Sequence, residues 1–112
     1  MRYSKQRTMA GFIGATGGLP LAPENTVAPT ITGTATEGET LTAVDGTWTG
    51  REAPVLTYQW ERDAAAIEGA TGSTYDLVAD DVGAVITVTV TGTNWTGSAS
   101  ETSAATAAVA AA

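Results

Sequence analysis

Carboxylates are the most abundant reactive groups in this sequence: twelve Asp and Glu stand against five Lys and Arg, with no histidine and no cysteine. Asp76, Asp80 and Asp81, with Glu68 nearby, could offer clustered oxygens to a hard cation such as calcium. Their spacing is not that of an EF-type loop, and Asp80-Asp81 reads more simply as a corner of the chain. Glu61 and Glu68 could be paired as acid and nucleophile for glycoside hydrolysis. Both read instead as residues on a solvent-facing edge, with no sign of a cleft between them. Glu24 and Glu52 read as lone loop charges. The glycines of GATGG (14–18) suggest a phosphate loop, but the Lys-Ser/Thr and the helix that such a loop needs do not follow. Without histidine, a hydroxyl nucleophile lacks its usual base. Without cysteine there is no thiolate chemistry, and with neither residue most zinc and copper sites are ruled out. The reading is a non-enzymatic protein with no catalytic, cofactor-binding or metal-ligating residues.

The aromatic residues are more informative. GTWTG (46–50) and GTNWTG (92–97) place Trp48 and Trp95 in nearly the same setting, each flanked by turn-forming residues. An indole on a loop tip can stack on a sugar or dock on a protein, and one folded inward can cap a core. Trp48 and Trp95 are therefore the candidate surface contacts, with core packing as the competing role for each. Asn94-Trp95-Thr96 is also a glycosylation sequon, relevant only in a eukaryotic secretory route.

At 112 residues the chain is long enough for one core and too short for two. Charged residues are sparse at 15%, and threonine and alanine dominate, which suits an exposed β domain better than a cytosolic enzyme. Arg2, Lys5 and Arg7 lie at the start of the chain, leaving only Arg51 and Arg62 to balance the twelve acidic groups of the body. That body cannot neutralise phosphates, so it should not bind nucleic acid. The basic start followed by MAGFIGATGGLPLA superficially suggests a secretory signal, but Gly11, Gly14, Gly17, Gly18 and Pro20 interrupt the apolar stretch. No run approaches the length of a membrane span, and no membrane insertion is expected.

Residues 1–28, rich in glycine and proline and without periodicity, read as an extended N-terminal arm that would not order by itself. From Pro29 the pattern is of strands: TITGTA (30–35), TLTAV (40–44), VLTYQWER (55–62), AAIE (65–68), STYDLV (73–78), AVITVTVTG (84–92) and SASETS running into AATAAV (98–109). Alternation puts Leu56, Tyr58 and Trp60 on one face, Tyr75 with Leu77, and Ile86, Val88 and Val90 opposite a ladder of Thr87, Thr89 and Thr91. Residues 110–112 read as a frayed tail. Short strands with turn signals roughly every 8–12 residues predict an all-β fold, a seven-stranded sandwich.

The sequence also resembles the bacterial and phage immunoglobulin-like repeat. The resemblance rests on ITGTATEGETL, GTWTG, LTYQW, IEGATGSTYDL and DVG, which occur in the family's order across residues 29–109. It implies an immunoglobulin-like sandwich with Trp60 as the core tryptophan and Asp81 and Gly83 at the corner before the sixth strand. It also implies that the two tryptophan loops emerge at the same end. Ala43 and Thr87 would fall where antibody domains place their cysteine pair, so packing alone must hold the core. Trp48 matches the family pattern, whereas Trp95 replaces a small residue.

By that resemblance the expected function is structural. The chain would be a capsid decoration, minor capsid or tail-associated protein of a tailed phage, assembled in the host cytoplasm into the virion. Its arm would be anchored on capsid or tail subunits by Arg2, Tyr3, Lys5, Arg7, Phe12 and Ile13. The sandwich would face outward, where a host-surface glycan is the expected contact. The alternative is a carbohydrate- or protein-binding module of a bacterial surface adhesin or secreted enzyme, although such modules usually occur in tandem behind a signal peptide.

Overall fold

Period-two alternation governs the chain from Glu24 onward. The computed structural model describes residues 22–112, and they form nine strands: β1 (Glu24–Val27), β2 (Thr30–Thr32), β3 (Thr40–Val44), β4 (Thr47–Thr49), β5 (Val55–Arg62), β6 (Ala65–Ala66), β7 (Thr74–Asp76), β8 (Ile86–Asn94) and β9 (Gly97–Thr102). A single 3-10 turn, Ala79–Asp81, interrupts them. All strand pairings are antiparallel, in sheets ordered β2-β3-β7, β6-β5-β8-β9 and the small pair β1-β4.

The two larger sheets share one core, the arrangement of a β-sandwich. From the three-stranded sheet come Leu41 and Ala43, and from the four-stranded sheet Trp60, Ile86 and Val88, with Leu77 and Val109 closing the ends. Strand β8 shows why this sequence makes a sheet. Its β-branched residues favour extended backbone, and alternation sends Ile86, Val88 and Val90 inward while Thr87, Thr89 and Thr91 stay partly exposed.

The fold differs from expectation in several places. Strand β1 lies within the segment read as an arm, so the sheet-bearing body begins before Pro29. GTWTG is not simply a turn, because Thr47–Thr49 pairs with β1. The chain reaches this pairing through Gly46, whose φ of +76° favours glycine and where a Cβ would collide with the Val27 carbonyl. Thr87 does not occupy a core position. Being odd in the β8 alternation, it faces outward and donates to Glu61 at 2.7 Å, while its neighbour Val88 takes the inner site opposite Trp60.

The last strand, expected to run from 98 to 109, ends at Thr102, and the alanine-rich segment beyond it is held to β8 and to Ala84 by hydrogen bonds every third residue. Ser103, Thr106 and Val109 donate their N–H groups to the carbonyls of Val88, Ile86 and Ala84. The Ser103 and Thr106 hydroxyls accept in turn from Val88 and Ile86 N–H, both at 3.1 Å. A hydroxyl every third residue therefore replaces the missing strand carbonyl. Ala110, expected in the tail, is bridged to Thr36.

Candidate surface-contact site

Both tryptophan motifs lie at one end of the sheets, and the Asn94 side chain joins them. Its Oδ1 accepts from the N–H and the hydroxyl of Thr96 at 2.9 and 2.8 Å, which fixes the β8–β9 turn as an Asx-type turn. Its Nδ2 donates to the Arg51 and Glu52 carbonyls at 3.2 and 3.3 Å, tying that turn to the loop before β5. The amide nitrogen a sequon would offer to a glycan is thus already committed.

Trp48 and Trp95 have different fates. Trp48 lies over Gly92, where an added Cβ would sit 3.0 Å from its ring and 3.1 Å from Pro54. Its indole N–H donates to the Asp45 carbonyl at 2.8 Å, and the Asp45 carboxylate accepts from the Tyr58 hydroxyl at 2.8 Å. Burial, together with that carboxylate, raises the Tyr58 phenol above its ordinary value, so it remains a donor at neutral pH. Trp48 is therefore a half-buried indole lying over Gly92. Trp95 sits at the turn between β8 and β9 and is 68% exposed. Among the described residues the stacked aromatic pair is Trp60 with Tyr75, so packing against Trp48 does not account for Trp95. We expect Gly92→Val to displace Trp48, lowering stability and shifting tryptophan emission to the red. Unchanged emission would contradict the contact.

The carboxylates take structural positions. Asp81 is fully buried. It accepts from Arg62 Nε at 2.6 Å, the Tyr75 hydroxyl at 2.8 Å and Val78 N–H at 2.9 Å. Burial alone would push this carboxyl up. The Val78 N–H, Tyr75 and Arg62 outweigh that and hold it below the ordinary aspartate value. Glu61 lies on the inner strand β5, not on an edge, and both its oxygens accept threonine hydroxyls, from Thr87 at 2.7 Å and Thr89 at 2.6 Å. Asp76 accepts from Thr40 at 2.6 Å, and Glu24 belongs to β1 rather than a loop. Among the described residues, no three carboxylates come together as a metal would require. No helix there is long and apolar enough to cross a membrane.

No family model, curated protein or solved structure matches this chain. The immunoglobulin-like resemblance therefore rests on its own motifs. Arg2, Tyr3, Lys5, Arg7, Phe12 and Ile13 lie outside the described residues, as does GATGG. Sequence reasoning missed the Arg62–Asp81–Tyr75 network and the Ser103 and Thr106 clamps. An unpaired arginine on an otherwise amphipathic strand was the available signal for the first. The three-residue spacing of hydroxyls in the alanine run was the signal for the second.

Proposed function

We propose that this chain is a non-enzymatic structural protein of a tailed-phage particle, a capsid decoration, minor capsid or tail-associated protein. Its body is an immunoglobulin-like sandwich displayed outward, and its N-terminal arm is the anchor on neighbouring subunits. The order of the family motifs supports the immunoglobulin-like reading, as does a shared core centred on Trp60 between two sheets. The observation that carries the display reading is Trp95, a large indole left 68% exposed on a turn braced by Asn94. Holding a hydrophobic ring in water on an ordered turn gains nothing for folding, and gains affinity when a partner covers it.

The arm carries the assembly half of the proposal. Arg2, Lys5 and Arg7 would pair with acidic groups of the subunits, while Tyr3, Phe12 and Ile13 supply apolar anchors. Ordering such a segment costs about 1–2 kcal/mol per residue, which a sizeable partner interface must offset. Deleting residues 2–22 should leave the melting temperature within a few degrees of the parent and remove the protein from assembled particles. Incorporation at the parent's copy number would show that the arm is not the anchor. The exposed tip fits equally a bacterial surface or secreted binding module, the second reading. In that case the truncated and parent chains would both bind cell surfaces and neither would enter particles.

A further inference from the structure

One broad face of this acidic domain is almost free of charge. Outward positions of β8 and β9 meet in pairs, Thr89 with Thr102, Thr91 with Ser100 and Thr93 with Ser98. The first two pairs share hydroxyl hydrogen bonds of 2.8 and 2.7 Å. The one charged side chain at the outward positions of β5, β8 and β9 is Glu61, and both its oxygens are occupied by Thr87 and Thr89. The last pair, Thr93 and Ser98, leads directly into the turn that carries Trp95.

We infer that this hydroxyl ladder, ended by Trp95, is a platform for an uncharged polysaccharide chain. The inference rests on the display reading above and names its ligand class. A sugar ring has an apolar face that stacks on an indole and a rim of hydroxyls that both donate and accept. In the Thr91–Ser100 pair one proton lies between the two oxygens, so one proton and spare lone pairs remain for a ligand. Thr89 gives its proton to Glu61, so Thr102 donates to Thr89 and that pair offers lone pairs alone. Branching at Cβ limits the threonine rotamers, and strand pairing fixes their spacing, so little freedom is lost on binding. Charge selects against the alternatives. The outward positions of β5, β8 and β9 carry no cation to recognise a carboxylate, sulfate or phosphate. Among the described residues the one arginine near the tip is Arg51, in the loop tied to Asn94, and the acidic body repels polyanions before contact. A protein partner would seek an apolar anchor set in a pocket rather than rows of hydroxyls.

The test is a glycan array probed with the full chain, carrying neutral glucans, galactans and mannans beside carboxylated and sulfated glycans. Binding to neutral glycans is expected. Both Trp95→Ala and the double variant Thr91→Val/Ser100→Ala should weaken it at least about tenfold with unchanged melting. Binding confined to acidic glycans would overturn the inference. So would a double variant that binds like the parent while Trp95→Ala does not, leaving a contact at the tip alone. An array without signal also overturns it. Loss of the truncated chain from particles would still uphold the display reading in that case, so the two failures are separable.

Discussion

Trp60→Ala should cost about 3–5 kcal/mol of folding stability, the range for truncating a large buried aromatic. Trp60 is fully buried between the sheets among Leu41, Ile86 and Val88. Its ring stacks on Tyr75 with centroids 5.8 Å apart, and its indole N–H donates to the Gly72 carbonyl at 2.8 Å. Truncation removes the contacts of both sheets, leaves a cavity that a twisted sandwich cannot close, and frees the Gly72 carbonyl. A domain of this size typically has about 5–15 kcal/mol in total, and no disulfide holds this one in reserve. Trp60→Phe should cost less, because most of the buried area survives and the principal loss is one hydrogen bond. Urea unfolding measures both. A Trp60→Ala protein with the parent's midpoint would contradict the core described here.

Asp81→Ala should rank beside it, at about 3 kcal/mol near neutral pH. The variant leaves the Arg62 guanidinium, the Tyr75 hydroxyl and the Val78 N–H without their shared acceptor. Arg62 keeps 31% side-chain exposure, so water recovers part of its solvation and the loss should fall at the low end for a buried pair. The effect should depend on pH in one direction. The Asp81 carboxyl titrates lower in the folded protein than in the unfolded chain. Its contribution is therefore complete above the unfolded value of about 3.9 and is lost as pH falls through the depressed folded value. The stability gap between parent and Asp81→Ala should be constant from neutral pH to about 5 and shrink below about 3.9. A gap that stays constant into strong acid would show that the carboxylate's charge is not what stabilises this corner.

Much of the sandwich is legible because β3, β5 and β8 announce themselves by alternation, which is local. What escapes is non-local. Strand β1 is a four-residue piece beside prolines, and only its pairing with Thr47–Thr49 makes it a strand. Asp81 sits in a sequence that looks like an ordinary turn, and its role depends on Arg62 from another strand. Alternation places Thr87 outward, as the structure has it; the resemblance puts it at a core position one register step away, which in a strand is the opposite face. The two tryptophan motifs make the same point at the candidate site. Their flanking residues are nearly identical, yet Trp48 has the bare backbone of Gly92 to lie on, and Trp95 has open solvent. The family resemblance implies that both rings lie at one end of the fold. Only the packing beneath each ring separates a half-buried indole from an exposed one.

The central proposal is that this protein belongs to a virus particle and is displayed on it. Quantitative mass spectrometry of density-gradient fractions from a culture that expresses the chain, with any particles separated from envelope and supernatant, tests it most directly. The account predicts that the chain bands with intact particles at a fixed ratio to a major capsid or tail subunit. Finding it only in the cell envelope or the culture supernatant, with none in the particle band, would contradict it.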